Sequence, residues 1–120
     1  MSTIVTLYHN PRCSKSRETL TLLQESGVSV AIIRYLETPP DAATLKHLLE
    51  MLSFTDARQL MRRKETLYTT LQLDNPALSQ DELLQTMVEN PILIERPIAV
   101  AQGRARIGRP PEQVLEIIGG

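Results

Sequence analysis

The chain carries one cysteine, no tryptophan, one phenylalanine and three tyrosines. One thiol cannot close an internal disulfide and cannot build a zinc site from thiolates. If that residue, Cys13, takes part in redox chemistry, the partner thiol has to come from another molecule. The shortage of aromatics leaves Leu, Ile, Val and Met to fill the core. No apolar run approaches the roughly 20 residues needed to cross a bilayer, and the N-terminus lacks the basic flank and long apolar stretch of a secretory signal. A cytoplasmic protein without membrane attachment is expected. Neither sign of charge is in excess: 13 Lys and Arg face 14 Asp and Glu, for a net charge of −1. Bulk electrostatics therefore gives no case for a nucleic-acid partner.

What is present is ordinary globular composition, 42% hydrophobic and 22% charged over 120 residues. That length suits a single domain over 1–120. The run Thr3–Tyr8 is short, apolar and β-branched, and predicts a first strand. His9-Asn-Pro-Arg12 breaks it. Ser14–Ser26 follows as a helix with Leu20 and Leu23 on one face and Gly27 just past its end. Val30–Tyr35 predicts a second strand, closed by Pro39-Pro40. Strand, helix, strand over so short a span is a βαβ unit with a parallel pair.

From about 40 to 90 the character is helical. Asp41 is a fitting N-cap for a helix carrying Leu45, Leu48, Leu49 and Leu52 at i, i+3, i+4, i+7. A second helical piece at Thr55–Met61 follows, and Ser79-Gln-Asp-Glu82 matches a capping box ahead of Leu83, Leu84, Met87 and Val88. After Asn90-Pro91 extended structure returns in Ile92–Ile94 and Ile98–Val100, with Arg104–Ile107 pairing back as a hairpin. Pro110-Pro111 opens a final helix bearing Val114, Leu115, Ile117 and Ile118. The order βαβ, helices, ββα describes an α/β protein with a thioredoxin-like mixed sheet and a helical insertion at about 40–90.

Cys13 falls at the strand-to-helix junction, where the first backbone N–H groups of the helix have no intrahelical partner. Those donors and the helix dipole favour a thiolate, and Arg12, Lys15 and Arg17 add cationic charge close by in sequence. The same features bind oxyanions. A nucleophile and an anion site therefore coincide. No pattern marks a metal site, and no bound cofactor is expected.

The segment Tyr8-His-Asn-Pro-Arg-Cys-Ser-Lys-Ser-Arg17 resembles the active-site loop of the glutaredoxin-coupled arsenate reductase family, the ArsC type. Tyr35–Pro40, Leu60–Lys64, Asn90–Ile98 and Gly108–Pro110 resemble further family segments, in order, so the likeness covers nearly the whole chain. It implies that Cys13 attacks arsenate or a similar oxyanion, with Arg62, Arg96 and Arg109 binding it. Arg63 is adjacent to the first of these and is the alternative ligand. His9, Ser16 and Arg17 match residues that tune or cradle the thiolate, and Pro97 matches a cis proline facing the cysteine. The resemblance also implies glutathione as co-substrate, glutaredoxin as partner and a role in arsenic resistance. Family members commonly carry Gly-Thr after the cysteine, where this chain has Ser14-Lys15.

Other readings compete with this one. The phosphatase loop Cys-x5-Arg is absent, because Thr19 stands six residues after Cys13. An RNA-polymerase-binding regulator related to the Spx proteins shares the fold, but many of those carry a Cys-x-x-Cys switch and this chain has Ser16 in the second position. A glutathione-dependent thiol protein of monothiol glutaredoxin character is the third reading.

Overall fold

The computed structural model describes residues 4–118. They divide into two compact units, one formed by the described residues up to Thr38 and from Arg96 onward, the other by Pro39–Glu95. The stretch expected as an insertion at about 40–90 is this second unit.

The first unit holds the whole sheet. Strands β1 (Ile4–Tyr8), β2 (Ser29–Ile33), β3 (Ile98–Ala101) and β4 (Arg104–Ile107) lie in the order β2-β1-β3-β4. β1 runs parallel to β2 and antiparallel to β3, and β3 is antiparallel to β4. With helix α1 (Ser14–Glu25) joining β1 to β2, this is the thioredoxin-like arrangement expected. Alternation along β1 buries Val5 and Leu7 on one face and leaves Ile4 exposed, as a pleated strand requires. Those side chains meet Leu23, Ala99, Ala101, Val114 and Ile117 in the core, with Leu20, Val28 and Val30 packed against it. Each fully buried Leu or Ile contributes about 1.5–3 kcal/mol.

The inward stripe of α1 is Ser16, Thr19, Leu20, Leu23, the i, i+3, i+4, i+7 positions of a buried face. Its first half is polar, yet Ser16 and Thr19 are fully buried. Thr19 Oγ1 donates to the Lys15 carbonyl at 2.8 Å. The helix stops at Gly27, whose φ of +80° suits a residue without Cβ. β3 and β4 are joined through Gln102 and Gly103, both at positive φ (55° and 76°), with Ala101 opposite Arg104. That is the two-residue turn whose twist matches a hairpin.

The second unit is helical. α2 (Ala42–Leu52) begins at Asp41, whose side chain accepts from the Thr44 amide at 2.8 Å, and it buries Leu45, Leu48, Leu49 and Leu52. A 3-10 helix at Ala57–Leu60, α3 (Thr66–Thr70) and α4 (Gln80–Glu89) follow. α4 opens with the expected capping box of Ser79 and Glu82. Arg58 ties this unit together, its Nε donating to the Leu73 carbonyl at 2.7 Å and its Nη2 to that of Asn75 at 2.8 Å.

Two expected elements take another form. Ile92–Ile94 is not a strand: Pro91–Leu93 is a 3-10 turn, and only Ile94 pairs, as an isolated bridge with Met61. The proline at the first position fixes a helical φ and removes the donor a strand would need. The final helix is 3-10 over Pro111–Ile117. Its buried residues Pro111, Val114 and Ile117 recur every third position, which suits the threefold repeat of a 3-10 helix. Among the described residues no helix is long and apolar enough to cross a membrane.

Candidate active site

Cys13 is the N-cap of α1, in extended conformation (φ −94°, ψ 124°), and its side chain closes no capping hydrogen bond. The loop that carries it is pinned at every residue. The His9 N–H donates to the Ile33 carbonyl at 2.8 Å and extends the β1–β2 ladder; the Cys13 N–H donates to the Asn10 carbonyl at 3.0 Å. The Arg12 N–H donates to Asn10 Oδ1 at 3.0 Å. Arg17 reaches back, its Nη1 donating to the Pro11 carbonyl at 3.0 Å. Behind the loop, Ser16 Oγ accepts from the Asn10 N–H at 3.0 Å and shares a hydrogen bond with His9 Nδ1 at 2.6 Å. The polar half of the α1 stripe is thus the scaffold of the loop.

Arg96 and Arg109 come from the other end of the sequence. Arg96 precedes β3, Arg109 follows β4, and the Arg109 Nε donates to the Arg96 carbonyl at 2.8 Å. Its Nη2 then lies 3.7 Å from Cys13 Sγ. The Arg96–Pro97 peptide bond is cis, and so is Arg109–Pro110. Between them the Gly108 N–H donates to the Pro97 carbonyl at 3.0 Å. A Cβ on Gly108 would collide with Thr19 Oγ1 and the Pro97 ring, so this strand end can approach α1 only as glycine.

Burial raises the Cys13 pKa, but the Ser16 amide, Arg96, the Lys15 amide and Arg109 lower it, in that order, and the balance falls below the ordinary thiol value. The amides act by facing the sulfur, without a closed hydrogen bond. Sequence proximity had pointed to Arg12, Lys15 and Arg17 as the stabilising charges. Instead, Lys15 is paired with Glu18 at 3.4 Å and Arg17 is committed to Pro11. The charges that act on the sulfur come from the β3–β4 hairpin. For His9, burial first, then Arg34 and Arg17, hold the pKa below the usual histidine value, so the imidazole is neutral at neutral pH.

Of the residues singled out in the sequence, Cys13, His9, Ser16, Arg17, Arg96, Arg109 and Pro97 belong to the first unit. Arg62 belongs to the second. Its N–H donates to the Leu93 carbonyl at 2.7 Å and its guanidinium pairs with Glu65 at 3.4 Å. Arg63 Nε donates to the Arg58 carbonyl at 3.4 Å. Sequence reasoning missed three participants: Asn10 as the hub of the loop, Arg34 as the charge acting on His9, and Gly108 as the close approach. Only the last had a signal, a glycine directly before Arg109-Pro110. Among the described residues no group of three or more His, Cys, Asp or Glu gathers to hold a metal ion.

A partly buried thiol with a lowered pKa, at an open helix start and under a guanidinium, can attack an electrophilic oxyanion centre and stabilise the charge on its oxygens. Proteins similar to this chain include ones named arsenate reductase. The Haemophilus influenzae protein named arsenate reductase is 49% identical over 114 residues, covering 95% of this chain and 98% of that one. The solved arsenate reductase from Vibrio cholerae superposes with a TM-score of 0.95 at 53% identity, covering 98% and 99% of the two chains. The Escherichia coli chain named uncharacterized protein YfgD is 62% identical over 119 residues, 99% of this chain and all of that one. The model of the ArsC family matches residues 8–117, and with the active-site loop and both hairpin arginines inside that span, this chain belongs to the ArsC family.

Proposed function

We propose that the chain is a cytoplasmic arsenate reductase that takes its reducing equivalents from glutathione and glutaredoxin. The observation that carries the reading is the Arg109 guanidinium 3.7 Å from Cys13 Sγ, at a helix start whose amides face the sulfur. An arsenate oxygen placed there meets the guanidinium while its arsenic meets the thiolate.

The Cys13 thiolate bonds to As(V), and one arsenate hydroxyl leaves as water after taking a proton. Glutathione replaces a second hydroxyl on arsenic, again releasing water. A glutaredoxin thiolate then attacks the glutathione sulfur and forms a mixed disulfide. The electron pair of the broken arsenic–sulfur bond stays on arsenic, which becomes As(III). Water cleaves the remaining Cys13–arsenic bond, releasing arsenite and restoring the thiolate. A single cysteine suffices, because both other sulfurs are external. Arg96 and Arg109 hold the oxyanion, and Arg62 is assigned as the third ligand on the family resemblance.

The test is NADPH consumption with arsenate, glutathione, glutaredoxin and glutathione reductase. Wild type should turn over and Cys13→Ser should fall to background. If the two are equally inert, the reductase reading fails.

A further inference from the structure

The reaction proposed above needs a second thiol from solution, and the following inference rests on that reading. A cleft of about 220 Å3 lies beside the Cys13 loop, with His9, Asn10 and Pro11 along one side. Its remaining lining is Arg12 from the loop and Arg34, Leu36 and Glu37 from the turn after β2. Two guanidinium groups therefore face one carboxylate. Among the described residues Arg12 forms no ion pair. Arg34 and Glu37 are held only loosely, 4.0 Å apart with side chains 58% and 70% exposed, a geometry that contributes little and opens easily. His9 adds no charge at neutral pH, because it is neutral there. The cleft and the nucleophile share one turn: Arg12 directly precedes Cys13, and the Asn10 carbonyl accepts the Cys13 N–H.

We infer that this cleft docks the co-substrate as a small peptide thiol bearing two carboxylates and one ammonium, the charge pattern of glutathione. Arg12 and Arg34 take the carboxylates, Glu37 takes the ammonium, and Leu36 supplies an apolar wall for the peptide stem. Held there, the peptide presents its thiol to the arsenic carried on Cys13, the second step above. The groove along α1 has the wrong charge for this ligand. It holds Glu18 and Glu25 against Arg17 alone, and Arg17 is already bound to Pro11.

The test uses the reaction of the Cys13 thiolate with disulfides, in which a new sulfur–sulfur bond forms and one thiolate leaves. Rates of Cys13 mixed-disulfide formation are measured by mass spectrometry with glutathione disulfide and with uncharged hydroxyethyl disulfide. The ratio of the two rates cancels any change in Cys13 itself. In Arg12→Gln/Arg34→Gln this ratio should fall about tenfold or more, the effect of losing charge-assisted contacts. Lys46→Gln, which removes an exposed charge that does not line the cleft, should leave the ratio within about twofold. Equal slowing with both reagents, an unchanged ratio, or the same fall in Lys46→Gln overturns the assignment. The readout needs no arsenate. A chain inert toward arsenate whose ratio still falls keeps the cleft and sinks the reductase reading, and active turnover with an unchanged ratio does the reverse.

Discussion

The helices of this protein begin in two different ways. α2 and α4 start on Asp41 and Ser79, whose oxygens accept from the Thr44 and Glu82 amides at 2.8 and 3.1 Å. The 3-10 helix at Ala57–Leu60 has a full capping box from Asp56 and Gln59. α4 also places Asp81 and Glu82 in its first turn, where they complement the dipole. α1 starts on Cys13 with no capping hydrogen bond and no acidic residue in its first turn. α3 starts on Glu65 without a capping hydrogen bond, so it is α2, α4 and the 3-10 helix at Ala57–Leu60 that spend their starts on stability. The start of α1 is left open at the cysteine, and its unspent amides and the hairpin arginines lower the pKa of the thiol.

The comparison can be broken from either side. The largest effect is expected for Arg109→Ala, which removes the guanidinium beside Sγ: turnover should drop on the order of 10²–10³-fold. The pH midpoint for alkylation of Cys13 should rise as well, whereas Ser79→Ala should move neither reading. Gly108→Ala comes next, destabilising the fold by about 1–3 kcal/mol through the forced contact with Thr19 and Pro97, read by urea denaturation. Third, Ser79→Ala should cost about 1 kcal/mol while Cys13→Ser gains up to about 1 kcal/mol, because a hydroxyl caps where a thiol does not. This pair is measured below the folded-state thiol midpoint, since a depressed thiol pKa stabilises the fold only above it. The same sign in both variants would dissolve the contrast.

The smallest effect concerns His9. Its folded pKa lies below its unfolded value, so the native state takes up the proton later than the unfolded chain does. Its contribution is full above about pH 6.5 and is lost as pH falls through the folded midpoint. Melting temperature against pH should show this descending arm, and His9→Asn should flatten it.

Local features of this molecule could be read in the sequence because their causes are local. Asp41 and Ser79 announce their helices within four residues, and Leu45 to Leu52 repeat with the helical period. The Cys13 junction is equally local, a strand broken by Asn10-Pro11 before a helix. Two apolar runs misled for a physical reason. Ile92–Ile94 is too short to distinguish a strand from a turn, and Val114 and Ile117 satisfy a period of three as well as one of 3.6. The charges on the sulfur were legible only through family resemblance. Arg109 lies 96 residues from Cys13, and no spacing rule spans that distance. The cations nearest in sequence were the misleading ones: Lys15 and Arg17 have partners of their own, and Arg12 is not among the groups that lower the Cys13 pKa.

The two-residue turn at Gln102-Gly103 fixes more than a strand crossing. Because Ala101 faces Arg104 and Ile98 faces Ile107, the open ends of the hairpin stay level, and those ends carry Arg96 and Arg109. The turn therefore works as a ruler for the spacing of two positive charges far from it. Adding or deleting one residue at the tip would slide one arginine past the other while leaving every residue around the sulfur intact. The length of that turn is accordingly as much a part of the reactive centre as the side chains that touch it.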